Sequence, residues 1–183
     1  MVPNQLHYEI SVNNYNTVRY LIEEEVFVLD DDCLCQVSTV KMLDMLVELG
    51  ANLLKYPYVI LFYAYNDYVE LVERAIHYGL DINYSYKGEN VFHSTFNCPD
   101  IIPKLIKLGA DINAVPEGGK TVLSFSLVFF GIDAWTMALL NAGADPSVKD
   151  YHYMDSFDYA ISMGKEVLFG NILRKDIRMG ASA

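Results

Sequence analysis

The sequence predicts an all-α protein built from stacked helix-turn-helix units, and three observations predict it. Glycines at Gly50, Gly79, Gly109 and Gly143 recur at intervals of 29, 30 and 34 residues, the spacing of a repeated supersecondary unit. Before each glycine runs an apolar trio at i, i+3, i+4: Leu43/Leu46/Val47, Val72/Ala75/Ile76, Ile102/Leu105/Ile106 and Thr136/Leu139/Leu140. That spacing places each trio on one face of a helix. The glycine three residues later suits a helix C′ position that needs a left-handed backbone. Closings such as "GADIN" and "GADPS" follow, then a short turn and a second apolar helix.

Taken in order along the chain, Asn4 to His7 (NQLH) opens a first copy whose second helix holds Val18, Leu21 and Ile22, with Glu25 in the glycine's place. Only 25 residues separate Glu25 from Gly50, so the second copy has room for two short helices and almost no projecting turn. A third begins near KYPYVILFYAYNDY, without a turn glycine. Gly88 to His93 (GENVFH) opens a fourth and Gly119 to Ser124 (GKTVLS) a fifth. The last copy starts at Asp155 to Asp158 and continues through Tyr159, Ala160 and Ile161, then Gly164, to Ile172 and Leu173.

These phrases resemble the ankyrin repeat family, whose pattern is a turn with Gly, T-P-L-H opening a first helix, V-x-x-L-L in a second, and G-A-D-x-N closing. Asn90 to His93 stand at the T-P-L-H positions of the fourth copy, and Thr121 and Leu123 match it in the fifth. The resemblance covers six units, roughly 3–28, 30–53, 54–83, 84–113, 114–147 and 148–176. It implies one ankyrin-repeat solenoid over 1–176 with short finger loops, then a loose tail over 177–183. A stack needs polar ends; Lys165, Glu166, Arg174, Lys175, Asp176 and Arg178 place charge at the last one.

Composition narrows the function. The chain has 183 residues, is 52 % apolar, and carries 24 acidic against 13 basic residues for a net charge of −11. That is enough chain for a domain core, and its negative field repels phosphate backbones, which argues against a nucleic-acid partner. The only long apolar stretch, Thr121 to Leu140, is interrupted by Gly131-Ile132-Asp133, the place for a turn between two buried helices. A membrane span is therefore not expected. Cys33, Cys35 and Cys98 lack metal-finger spacing, and the N-terminus has neither a basic start nor an apolar stretch, so a cytoplasmic protein with reduced thiols is the expectation.

Catalytic motifs are absent. No histidine stands at i, i+4 with another histidine or with a carboxylate pair in metal-ligand fashion, and no G-x-S-x-G occurs. Gly119-Lys120-Thr121 ends like a phosphate loop, but position 114, where its first glycine belongs, is Ala. His7 and His93 occupy the tetrapeptide's last position, where the resemblance implies a bond to backbone in a neighbouring turn. Asn83-Tyr84-Ser85 matches a glycosylation acceptor, yet Asn83 also closes a repeat. Neither a cofactor nor a metal is expected: the adjacent acids lack the alternating ligand spacing of a calcium loop.

Two features point to binding. Through residue 50 the net charge is −7, with Glu23-Glu24-Glu25 and Asp30-Asp31-Asp32 as runs. The runs read either as solvated turns at a capped end or as a docking patch for a basic partner. Tyrosine is the other feature. Tyr56, Tyr58, Tyr63, Tyr65 and Tyr68 crowd the third copy, while Tyr84, Tyr86, Tyr151 and Tyr153 fall in the turns between copies. Tyrosine is rigid, amphipathic and enriched at binding hot spots, and the resemblance implies that such turns project as fingers beside a concave face. The candidate contact residues are thus Asp30, Asp31, Asp32, Tyr63, Tyr65, Tyr84, Tyr86, Lys87, Glu117, Lys120, Tyr151, His152 and Tyr153. The expected function is a non-catalytic module that binds a basic protein, in the manner of an immunity protein that neutralises a toxin. The alternatives are a microbial effector acting on a host protein, a scaffold subunit with an apolar patch around Phe129 and Phe130, and an enzyme using Asp30 to Asp32, the histidines or Cys98.

Overall fold

A computed structural model of the chain describes residues 5–24, 26–27 and 29–172. Among these the regular elements are helices, beside one isolated antiparallel bridge. The chain divides into two compact units, Met1–Tyr84 and Ser85–Ala183, at the junction between the third and fourth copies.

The first unit holds α1 (Gln5–Ser11), α2 (Tyr15–Glu23), α3 (Asp31–Cys35), α4 (Val40–Glu48), a 3-10 turn at Leu53–Lys55, α5 (Val59–Tyr65) and α6 (Val69–His77). The first helices of successive copies pack in order, α1 on α3 and α3 on α5, and the second helices α4 and α6 pack together. Each helix is amphipathic at the spacing read from the sequence: Val18 and Leu21 in α2, Leu43 and Leu46 in α4, Val72 and Ala75 in α6 are all buried. Start signals are local. Asn14, Asp30 and Thr39 accept hydrogen bonds from the backbone N–H of Thr17, Cys33 and Met42, satisfying donors that a helix leaves open at its first turn. Neighbouring copies are also tied by polar bonds, Thr39 Oγ1 donating to Asn13 Oδ1 at 2.8 Å. Glu25, at the first copy's glycine position, lies outside the described residues.

The second unit begins with a 3-10 segment, Val91–Thr95, then Pro99–Ile101 running into α7 (Ile102–Lys107), α8 (Val122–Phe129), α9 (Ala134–Asn141) and α10 (Ser156–Ser162), with residues 166–172 also helical. The apolar stretch from Thr121 is two helices, α8 and α9, with Gly131 left-handed and Asp133 capping α9 between them. No helix among the described residues is long and apolar enough to cross a membrane. Trp135 fills the centre; its indole N–H donates to Thr95 Oγ1 at 3.0 Å, and Phe96, Phe125 and Phe130 pack edge-on around it. Buried serines are all paired: Ser124 Oγ meets Ser156 Oγ at 3.1 Å, and Ser126 Oγ donates to the Leu123 carbonyl.

The closing phrase has a physical explanation. Gly50, Gly79, Gly109 and Gly143 have φ between +96° and +101°, the left-handed C′ conformation that Cβ disfavours. The acid that follows builds an Asx turn: the carboxylates of Asp81, Asp111 and Asp145 accept from the N–H two residues on, at 2.8–2.9 Å. Asn113 then reaches the next copy, its Oδ1 accepting from Asp145 N–H at 2.7 Å.

His93 behaves as the motif implies. It is buried, its Nδ1 accepts from Asn90 N–H in a capping box, and its Nε2–H donates to the Lys120 carbonyl at 3.2 Å. His7 does not: its Nε2 meets a side chain, Asp30 Oδ1, at 3.1 Å, because the shortened second copy puts a capping carboxylate there. The polar end expected from the last copy is also incomplete. Phe157, Ile161, Met163, Val167 and Leu168 are exposed beside Lys165 and Glu166; Arg174, Lys175, Asp176, Arg178 and the tail lie outside the described residues.

Burial drives the His93 pKa down from 6.5 to about 4. The folded state holds the ring neutral while the unfolded chain takes up a proton near 6.5, so stability is fully present above that pH and falls below it. Urea unfolding should show a loss of about 2 kcal/mol between pH 7 and pH 5 from this group. A second expectation concerns Gly119, where a Cβ would collide with the carbonyl oxygen of Gly88. Gly119→Ala should lower stability by roughly 1–3 kcal/mol in a denaturant titration, because the obstacle is backbone that cannot rotate away.

Candidate functional site

Three turns of the second unit, residues 85–90, 114–121 and 148–155, carry most of the candidate contact residues, and each is held by backbone bonds. In the first, Tyr86 and Glu89 exchange both N–H···O bonds, at 2.9 and 3.1 Å, across Lys87 and Gly88. Both central residues have positive φ, +51° and +80°, which makes a two-residue hairpin turn of the primed kind. The Lys87 ammonium lies 5.0 Å from the Tyr86 ring centroid. In the second turn Gly119 N–H donates to the Pro116 carbonyl at 2.8 Å with Gly118 left-handed, and Glu117 is exposed at the tip. Gly88 and Gly119 touch backbone to backbone, so consecutive turns stack without side chains between them.

Asp150 organises the third turn. It is buried, and its carboxylate accepts from His152 N–H at 2.7 Å, Met154 N–H at 3.2 Å and the Tyr159 hydroxyl at 2.5 Å. Burial alone would push its pKa up, but the Tyr159 hydroxyl, the two N–H groups and the charge of Lys120 together hold it below the ordinary carboxylate value. Lys120 lies 5.0 Å from the Tyr159 ring centroid. Around this anchor Tyr151, His152 and Tyr153 project into solvent. Tyr153 is 83 % exposed and has φ of +59°. A non-glycine residue in the left-handed region costs about 1–2 kcal/mol, and here the network at Asp150 imposes it.

The remaining candidates divide. Tyr86 and Tyr65 are exposed and Tyr84 is half-buried. Tyr63 is a correction: it is fully buried, its hydroxyl donates to the Leu34 carbonyl at 3.0 Å, and desolvation drives its pKa up. Its position on the core face of α5 removes it from the surface. Asp30 caps α3 and meets His7. Its burial raises the pKa, but the bonds to Cys33 and His7 outweigh that and lower it. Asp32 is exposed, and the side chain of Asp31 lies outside the described ones.

Sequence spacing did not bring together His7, Asp30 and Cys33, whose donor atoms lie within 4.8 Å of one another. Residues 23 and more apart meet because the second copy stacks on the first. Desolvation pushes the Cys33 thiol up to about 12, so the sulfur keeps its proton and is a poor nucleophile. The cap accounts for the Asp30 carboxylate. Elsewhere in this unit two open grooves run beside the second helices, one lined by Arg19, Lys41, Asp44 and Glu48, the other by Glu70, Glu73, Arg74 and His77. Each holds charges of both signs, and Arg74 pairs with Asp44 at 3.5 Å. In the second unit Phe129 and Phe130 are exposed at the end of α8, where Phe130 stacks on Phe96 with centroids 5.3 Å apart.

No family model matches the chain, and no curated protein matches it in sequence. Among solved structures the chain is similar to an ankyrin repeat domain from Acinetobacter baumannii AYE, at 17 % identity and a TM-score of 0.61. The match covers 88 % of this chain and 92 % of that one. The fold is therefore that of an ankyrin repeat domain, as the motifs implied.

Replacing Asp150 tests the anchor of the third turn. Asp150→Asn removes a charged acceptor shared by three donors and should cost about 2–3 kcal/mol in denaturant unfolding. The network's contribution to stability should be fully present above the ordinary carboxylate value near 3.8. Its contribution is then lost as pH falls through the lowered pKa.

Proposed function

We propose that this chain is a non-catalytic module that binds a basic protein and neutralises it, as an immunity protein does a toxin, with the turns of the second unit as its contact surface. The observation that carries the reading is Tyr153: a large aromatic side chain, exposed and held in a costly backbone conformation by a buried carboxylate. Strain of that kind is retained where the surroundings impose it, and it marks functional positions. A pre-organised tyrosine loses little entropy on binding; Tyr151 on the same turn and Tyr86 on the two-residue hairpin turn are exposed as well. Lys87, Glu117, Lys120 and His152 supply polar contacts around them. The acidic run Asp30 to Asp32 and the net charge of −11 steer a basic partner toward the chain.

A second reading, a scaffold subunit, is favoured by Phe129 and Phe130, which are exposed at the rim of the Trp135 cluster. The two make opposite statements about salt. A partner captured from native lysate should bind through the first surface with an affinity that falls steeply as ionic strength rises, and Asp31→Lys/Asp32→Lys should slow association roughly tenfold. Asp30 is left in place in that variant because it caps α3. Affinity that does not respond to salt would sink the electrostatic part and favour the scaffold.

Tyr153→Gly separates binding from folding. Glycine relieves the left-handed backbone, so thermal unfolding should be unchanged or stabilised by up to about 1 kcal/mol. Affinity for the captured partner should nevertheless drop at least tenfold. Unchanged affinity would remove Tyr153 from the contact surface.

A further inference from the structure

The junction between the first two copies gathers an imidazole, a carboxylate and a thiol. His7 is the third residue of α1, Asp30 caps α3, and Cys33 is the third residue of α3. Because α1 packs on α3, one ligand atom from each of the three lies within 4.8 Å of the others. Among the described residues this is the one such group. His7 Nε2 and Asp30 Oδ1 are 3.1 Å apart. Ligands held at about 2.0–2.3 Å in a tetrahedron stand roughly 3.3–3.8 Å from one another, so a cation fits between these atoms after shifts of about 1 Å or less. Capping uses only part of the Asp30 carboxylate. Its Oδ1 accepts from Cys33 N–H at 3.0 Å, and a carboxylate has about four acceptor sites on its two oxygens. The group is also reachable: the side chain of Asp30 is 51 % exposed and that of His7 22 %, whereas Cys33 is fully buried behind them.

We propose that His7, Asp30 and Cys33 form a site for one zinc-type divalent cation, which ties the first two copies together. Imidazole, thiolate and carboxylate are the ligands that zinc takes, whereas calcium and magnesium call for sets of oxygens. Three protein donors leave the fourth tetrahedral position to water. Electrostatics favour the ion. Asp30 and Asp32 both place negative charge at the Cys33 sulfur, which opposes a bare thiolate but attracts a cation to the same point. The two basic residues among the first fifty are engaged elsewhere, Arg19 with Glu23 and Glu48 and Lys41 over the Tyr15 ring. On binding, a metal–sulfur bond replaces the S–H bond and the proton passes to solvent. The thiolate and the Asp30 carboxylate then balance the two positive charges of the ion.

Titration of the full chain with cobalt(II) and with zinc, after stripping by a chelator and with thiols kept reduced by a phosphine, tests this. The expected result is uptake of a single equivalent of cobalt with a thiolate-to-cobalt charge-transfer band. Zinc should bleach that band, and excess magnesium should leave it intact. The thermal unfolding midpoint should rise with zinc concentration, because only the folded chain brings the three donors together. Cys33→Ser should abolish the band. His7→Gln should weaken uptake by more than the roughly tenfold that loss of an outer-shell partner costs. His7 is only half-buried, so His7→Gln keeps the test open should Cys33→Ser fail to fold. Cys35→Ser/Cys98→Ser should bind as the wild type does. No uptake, uptake without the band, or uptake that survives the folded Cys33 and His7 variants would overturn the inference. Loss of uptake in a folded Cys35→Ser/Cys98→Ser chain would overturn it as well.

Discussion

Each helix pair in this chain is too small to bury its own apolar face, and everything else follows from pressing one pair against the next. The core is made of residues whose partners lie one copy away. Ser124 and Ser156 meet across α8 and α10, Thr39 reaches back to Asn13, and His93 holds the turn at Lys120. Breaking one of these contacts loosens two copies at once.

Stacking also governs the turns. Because the copies repeat at a short distance, the chain must reverse direction in few residues and in the same way each time. Left-handed glycines end the second helices, and Asx turns at Asp81, Asp111 and Asp145 carry the chain out of them. Gly88 and Gly119 then lie so close that neither accepts a Cβ without displacing the other's backbone. Rigid turns of this construction are good platforms. Tyr86 and Tyr153 sit on them with their rings in solvent and their backbones fixed before any partner arrives.

Much of this was legible in the sequence because it is written in local periods. Helix faces, C′ glycines, the interruption at Gly131 and the tetrapeptide at Asn90 to His93 all depend on residues within a few positions of one another. The exposed turn tyrosines were legible for the same reason. Tyr63 was not: alternation of aromatic and aliphatic residues in α5 leaves its inward face ambiguous, and only packing on Leu34 settles it. Asp150 is one acid among many in the sequence. Its neighbours in sequence say nothing of Tyr159 or of burial, and no short-range signal marks it.

The sequence alone determined the fold class, because repeated stacking requires the same apolar and glycine positions in nearly every unit, and repetition is visible in one dimension. Tertiary structure decided which side chains are free to act. His7, Asp30 and Cys33 converge only once two copies stack, and Asp150 becomes an anchor only when Tyr159 closes over it. Burial is a property of what lies beside a residue in space, and in a repeat the pattern within one copy is identical whether or not a neighbour is there.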